Sequence, residues 1–346
     1  MSSNLKELLR TYSLPMSITP FLIAFFCAVK TSLNINASFF INSVLILTGI
    51  ILVHLSSNLF DDYIDVKNAL NAGLNLNDIN FKNPKKAKLI LNKVYSLKTV
   101  EKIIAAFLIF ALVVGIYFIY LRGWAILAYI FTASFLCLFY PISSKYGMSE
   151  IITGVVFGPL LINASYFALT GTMNSVVFNF SIASGIVTSI LLIAHSLMDY
   201  EYDVDSEKKT IPVLLKNKYL TVNFISILII AAYCILLYSI CKYEISRLFS
   251  APVILTLPVS IKLISSLYDY IEIKDVKFIP KWYFGTMENW DEIVKSGFAY
   301  FMYRFYLARN LAVIFNIVLA LSCLIAFFPI RNFEHFEINF TNRILY

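Results

Sequence analysis

Two short polar clusters break into long apolar runs, and both follow one plan. The first reads His54-x-x-x-Asn58-x-x-x-Asp62, with Asp61 and Asp65 beside it. The second reads His195-x-x-x-Asp199-x-x-x-Asp203, with Asp205 beyond it. Residues four apart share a helix face, so each series sets its polar groups in one stripe. A carboxylate near the bilayer core costs about 3 kcal/mol and marks a functional site by default. Two such stripes facing each other at one membrane surface form a strongly negative pocket, which suits divalent cations. Mg2+ takes oxygen ligands and is typically held by one or two carboxylates together with substrate phosphates. The candidate metal ligands are therefore Asn58, Asp61, Asp62, Asp65, Asp199 and Asp203. Asp62, Asp65, Asp199 and Asp203 are the expected catalytic carboxylates, with metal making a diphosphate the better leaving group.

Lysines near the clusters complete this chemistry as point charges on phosphate. Lys145 and Lys209 are the candidates for diphosphate binding. Lys208 and the run Lys82, Lys85, Lys86 and Lys88 are better explained by membrane topology. His54 and His195 lie one to two turns deeper than the carboxylates. They read as buried imidazoles that support the ligands from behind, because an oxygen-rich set selects a hard cation rather than an imidazole-bound one.

The elements that position these residues follow from composition. The chain is 59% hydrophobic and only 14% charged, with mean hydropathy +0.76. Soluble domains carry about 25% charged residues, so this is an integral membrane protein. The expected architecture is all-α: a polytopic bundle of about nine transmembrane helices, with a central cavity open to the cytoplasmic side, in one domain covering 1–346. The spans are expected near 15–32, 39–60, 101–121, 124–142, 150–171, 177–198, 219–241, 248–268 and 309–330. Ser296 to Arg309 is aromatic and amphipathic and reads as an interfacial helix. Long lysine-rich loops follow spans two, six and eight, so the positive-inside rule puts them, the N-terminus and both clusters on the cytoplasmic side. The net charge of +7 needs no other cause. No basic stripe alternates with exposed aromatics, which excludes nucleic acid as a partner. The N-terminus lacks the small-residue cleavage site of a secretory leader. Cys27, Cys137, Cys234, Cys241 and Cys323 form no C-x-x-C pair and read as buried hydrophobes. The matching clusters are either an internal duplication of spans two and six or a coincidence of membrane-end polarity.

The segment "SSNLFDDYIDVKNALN" resembles the first aspartate motif of the UbiA superfamily of intramembrane prenyltransferases, on Asn58, Asp61, Asp62 and Asp65. The segment "HSLMDYEYDVDSEKKTIPVLL" resembles the second motif, on Asp199 and Asp203 followed by Lys209, Thr210 and Pro212. The segment "YPISSKYGMSE" is similar to the family's Y-x-P-x-x-K stretch, on Tyr140, Pro141 and Lys145. Two motifs at the expected span ends and in the expected order are a strong joint signal. Within the superfamily, "GPLLINASYFALTG" resembles the fifth helix of 1,4-dihydroxy-2-naphthoate polyprenyltransferases, on Gly158, Pro159, Tyr166, Thr170 and Gly171. Glycine and proline there also serve helix packing and kinking. The chain departs from that branch at His195, Met198 and Lys208, which spares the metal ligands and bears on the acceptor.

The resemblance implies an enzyme of the inner cell membrane with its active site facing the cytoplasm. It implies Mg2+-dependent transfer of a polyprenyl chain from its diphosphate to an aromatic acceptor, here 1,4-dihydroxy-2-naphthoate in menaquinone biosynthesis. The partners it implies are the polyprenyl diphosphate, the aromatic small molecule and membrane lipid. A different acceptor (4-hydroxybenzoate, a sugar phosphate or a glycerol lipid) is the nearest alternative. A cation transporter is more distant, since transporters place their sites at the bilayer midplane beside broken helices.

Overall fold

The structure, a computed structural model, describes residues 3–32, 35–71, 95–273 and 278–326. Among them there is no strand. The helices in order are α1 (Ser3–Leu8), α2 (Pro15–Thr31), α3 (Ala37–Asn71), α4 (Leu97–Arg122), α5 (Trp124–Ser143), α6 (Ser149–Thr170), α7 (Ser175–Met198), α8 (Tyr200–Asp205), α9 (Ile211–Leu215), α10 (Lys218–Tyr243), α11 (Ala251–Ile271), α12 (Trp290–Lys295) and α13 (Ala299–Ile325). Among the described residues, nine helices are long and apolar enough to cross a membrane. The protein is thus an all-α, multi-pass membrane protein. Hydrocarbon offers backbone groups no partner, so helices that satisfy their own N–H and C=O groups are the form such segments take. Where helices begin near water, side chains take over. Ser96 Oγ accepts from Thr99 N at 3.1 Å, and Asn174 Oδ1 accepts from Val176 N at 2.9 Å.

Most span limits fall within a turn of expectation, with two exceptions. Helix α3 was expected to stop near residue 60 but runs on to Asn71, so the first cluster lies within a helix rather than at its end. Helix α13 starts at Ala299, not at 309, and absorbs most of the segment expected to lie as an interfacial helix. Tyr303, Arg304, Tyr306 and Leu307 are buried. Burial of Arg304 becomes tolerable because Nε donates to Ser266 O at 2.6 Å and NH1 donates to Tyr300 O. Aromatic faces complete the enclosure, with the Tyr270 and Phe278 ring centres 5.2 and 5.0 Å from the guanidinium carbon. Residues 327–330 of the expected ninth span, and Lys82, Lys85, Lys86 and Lys88, lie outside the described residues.

The chain divides into two compact units: Met1–Ile18 with Asn36–Phe131, and Thr19–Ile35 with Thr132–Tyr346. In the first, α1, α3 and α4 share a core of Leu8, Leu9, Leu55, Leu59, Val100 and Ile104. In the second, α7 and α13 are the most enclosed helices. Tyr233 of α10 sets its hydroxyl 2.8 Å from Thr256 Oγ1 and 2.7 Å from Ser260 Oγ of α11. Cys27 and Cys323 are buried with their sulfurs 3.2 Å apart. Cys234 and Cys241, by contrast, are exposed and Cys137 is half-buried, which corrects their reading as buried hydrophobes. An apolar thiol loses nothing by facing lipid.

Helix α6 carries a single π turn at Val156–Leu160, around Gly158 and Pro159. Proline lacks an N–H for the helical ladder, and a wider turn absorbs the defect. Gly158 lies flat against α7: a Cβ there would fall 2.5 Å from Gly185 Cα and from Ser181 O. The close approach is held laterally by Asn163 Nδ2, which donates to Pro159 O at 2.7 Å and to Ser181 Oγ at 2.8 Å.

Candidate functional site

The first cluster belongs to the first unit. His54, Asn58 and Asp62 do form one stripe on α3, and a second stripe from the chain's start meets it. Ser17 Oγ bonds His54 Nδ1. Ser13 Oγ lies 2.9 Å from His54 Nε2 and accepts from Asn58 Nδ2 at 3.1 Å. Arg10 donates from NH2 to Asp62 Oδ1, and its NH1 lies 3.8 Å from Asp61 Oδ2. Asp62 is only 4% exposed. Burial works against the Arg10 charge, but Asp62 and then Asp61 outweigh it and raise its pKa. Arg10 also holds a left-handed backbone, φ 49 and ψ 45. Ser13 pins it there, with N and Oγ donating to Arg10 O at 2.9 and 2.8 Å. Asp65 lies on α3, and its side chain is outside the described residues. His54 is thus a hydrogen-bonded imidazole, linked through Ser13 to Asn58.

The second cluster belongs to the second unit, and its helix breaks where the motif begins. Asp199 caps α7 with φ −97 and ψ 14, and α8 starts at the next residue. The Asp203 N–H still donates to Asp199 O at 2.8 Å, so the four-residue spacing survives the break. Asp203 is 4% exposed. Thr210 Oγ1 donates to Asp203 Oδ2 at 3.1 Å, and Lys208 Nζ lies 4.0 Å from Oδ1. Burial pushes the Asp203 pKa up to about 6; Lys208 and Thr210 pull it down, while Asp199 and Glu150 add to the rise. His195 Nδ1 lies 3.3 Å from Asp199 Oδ2. Its ring meets Phe301 and Phe305 edge-on, at 5.3 and 6.0 Å between centres. His195 is half-buried rather than buried as expected, because it lies at the end of α7, and it touches a candidate ligand directly, whereas the buried His54 reaches Asn58 only through a serine.

The lysines fall differently from expectation in one respect. Lys208, the departure from the family pattern, approaches Asp203. Lys145 and Lys209 are exposed, and Lys209 contributes through its backbone, donating N–H to Ser144 O at 2.7 Å. That bond joins the turn after α5 to the tail of the second motif. Gly147, with φ 74, makes the approach possible, since a Cβ there would lie 2.9 Å from Lys209 O. Glu150 completes the joint. It is fully buried, and its Oε1 accepts from Ile211 N at 3.1 Å while Oε2 accepts from Ser149 Oγ at 2.8 Å.

Arg10, Ser13, Ser17 and Glu150 were not among the residues singled out from sequence. Ser13 and Ser17, four apart at the start of the first span, were a usable signal, since residues at that spacing share a face. So was an acid opening an apolar run at 150. The donor chemistry of the candidate ligands in both clusters fits Mg2+: carboxylate and amide oxygens only, two of the carboxylates deeply buried. Among the described residues, no three His, Cys, Asp or Glu side chains converge on one point.

Comparison with known proteins bears on this arrangement. A family model described as the UbiA prenyltransferase family matches residues 17–278, and no curated protein matches. Among solved structures the chain is similar to an apo UbiA homologue from Aeropyrum pernix K1, at 14% identity and TM-score 0.60, over 88% of this chain and 97% of that one. It is similar to digeranylgeranylglyceryl phosphate synthase, at 15% identity and TM-score 0.56, over 93% and 98%. It is also similar to a UbiA homologue from Archaeoglobus fulgidus bound to GPP and Mg2+, at 15% identity and TM-score 0.55, over 89% and 99%. At these identities the structures share a fold.

Proposed function

From the premise that this chain belongs to the UbiA prenyltransferase family, we propose that it moves a polyprenyl chain from its diphosphate to an aromatic ring carbon of 1,4-dihydroxy-2-naphthoate, a step of menaquinone biosynthesis. The observation that carries this reading is the pair of buried carboxylates, Asp62 and Asp203, each within an oxygen-donor cluster of an otherwise apolar chain. The Archaeoglobus fulgidus homologue of the same fold binds GPP and Mg2+, which supports a diphosphate and this cation as ligands here.

Asn58, Asp61, Asp62 and Asp65, and Asp199 and Asp203, are the residues to hold Mg2+. When bound, Mg2+ neutralises the diphosphate and makes it a better leaving group. Lys145 and Lys209 add point charges to the phosphate oxygens. His195 orients Asp199 through its 3.3 Å contact. Thr210 holds Asp203 by its hydroxyl. Cleavage of the allylic C–O bond leaves a carbocation, and the apolar helices keep bulk water from it. Aromatic faces stabilise a desolvated cation by about 2 kcal/mol. The electron-rich ring then attacks, and loss of its proton restores aromaticity. The fifth-span residues Gly158, Pro159, Tyr166, Thr170 and Gly171 support the naphthoate acceptor. The loops after even-numbered spans face the cytoplasm in this reading, and 1–346 act as one catalytic domain in the inner membrane.

A second reading has a glycerol lipid as acceptor. It is supported by the shared fold with digeranylgeranylglyceryl phosphate synthase over 93% of this chain. One experiment separates the two. Purified protein is given one labelled polyprenyl diphosphate and a panel of aromatic and glycerol-phosphate acceptors, and the lipid product is identified by mass spectrometry. Prenylated naphthoate is the expected product. A prenylated glycerol phosphate, or product from 4-hydroxybenzoate alone, would overturn the naphthoate assignment.

A further inference from the structure

The first motif already has a cation on it. Arg10 pairs with Asp62 and stands beside Asp61, within the unit that carries both. We propose that Arg10 is a further residue of the metal and diphosphate site: the resident counter-ion of the first motif, for which an arriving divalent cation exchanges. The inference rests on the metal reading of that motif.

Three observations support the exchange. First, Asp62 is buried, and an ionised carboxylate so enclosed needs a counter-charge whenever no metal is bound. Second, a guanidinium stays protonated throughout the working pH range. It cannot leave the carboxylate by losing its proton, so it must move aside, because a divalent cation and a guanidinium at the same oxygens repel. Third, the backbone of Arg10 sits in the left-handed region, which non-glycine residues adopt rarely and at some cost. Ser13 holds that conformation, and Ser13 and Ser17 also grip His54 and Asn58. The segment is therefore built to aim one side chain at Asp62. The exchange keeps the motif's affinity for a bare cation low. It also hands a planar, five-donor group to whichever anion arrives with the metal, and phosphate oxygens match its geometry.

The test measures Mn2+ binding to the full chain in detergent by electron paramagnetic resonance, without substrate, for wild type, R10Q and D62N. R10Q should bind Mn2+ at least fivefold more tightly than wild type, and D62N should lose that site. Equal or weaker binding by R10Q, with D62N defective, overturns the exchange alone. Unchanged binding by D62N overturns the metal reading of the first motif and the exchange with it. A second measurement needs no variant. Phenylglyoxal modification of Arg10, followed by peptide mass spectrometry, should quicken at least threefold when Mn2+ is added to wild type. An unchanged or slower rate contradicts the displacement.

Discussion

The backbone N–H of Ile211 donates to Glu150 Oε1 at 3.1 Å. Through it a fully buried carboxylate at the start of the fifth span fixes the tail of the second aspartate motif. Ser189 Oγ donates to Glu150 O at 2.9 Å, so α7 is tied to the same residue. Replacing Glu150 by Ala leaves that N–H without its partner, a loss of about 1–3 kcal/mol. Glu150→Ala should lower the melting temperature of the purified protein and raise KM for the prenyl diphosphate. Glu150→Gln keeps an acceptor oxygen and should lose less. Equal melting temperatures for wild type and Glu150→Ala would show the joint to be dispensable.

Asp203 makes the metal-free protein sensitive to pH. Its pKa in the folded state is pushed up to about 6, mainly by burial, above the 3.8 of an unburied aspartate. The folded state therefore binds this proton more tightly than the unfolded state. Stability contributed by protonated Asp203 is full below about pH 4 and is lost as pH rises through about 6. The full shift corresponds to about 3 kcal/mol, which solvent screening reduces to about 2 kcal/mol. Thermal unfolding of wild type against Asp203→Asn, in chelator, between pH 4 and 7 measures it. The variant should lack this falling limb, and parallel curves would contradict the assignment.

Gly158 and Gly49 offer a contrast in packing. A Cβ on Gly158 would fall 2.5 Å from the backbone of α7, whereas one on Gly49 would meet Val114 at an ordinary 3.6 Å. Gly158→Ala should destabilise by about 1–3 kcal/mol, as overpacking does. Gly49→Ala should be neutral or slightly stabilising, because alanine is the better helix former. Thermal unfolding of both variants is the check.

Arg304, 1% exposed, links α13 to the end of α11, where Tyr270 donates its hydroxyl to Met198 O at 3.0 Å, next to Asp199. Arg304→Met removes the donor to two carbonyls and should cost about 2–4 kcal/mol. It should also reduce kcat, by loosening Tyr270 behind the second motif. A variant with wild-type stability and kcat would leave Arg304 without this role.

What could be read from sequence divides along physical lines. Apolar length placed the spans, because hydrocarbon thickness imposes it directly. The stripe His54, Asn58 and Asp62 was visible, because side chains four apart on a helix share a face whatever surrounds them. The extension of α3 to Asn71 was not, since hydropathy stops marking a helix once it leaves the apolar layer. The buried start of α13 was missed for a related reason. Arg304 reads as a surface charge until the carbonyls and rings that enclose it are known. Arg10 and Glu150 are tertiary facts: each meets its partner across a long stretch of chain, and neither meeting leaves a local period. The break at Asp199 was also hidden, because the i to i+4 hydrogen bond persists across it.

The central claim is that the carboxylates of both motifs serve one prenyl transfer reaction. The most direct measurement is turnover of labelled polyprenyl diphosphate by purified, folded Asp62→Ala and Asp203→Ala with saturating Mg2+ and acceptor. Each should lose activity by at least a hundredfold, while retaining membrane insertion and a cooperative unfolding transition. Wild-type turnover in either variant would contradict the account.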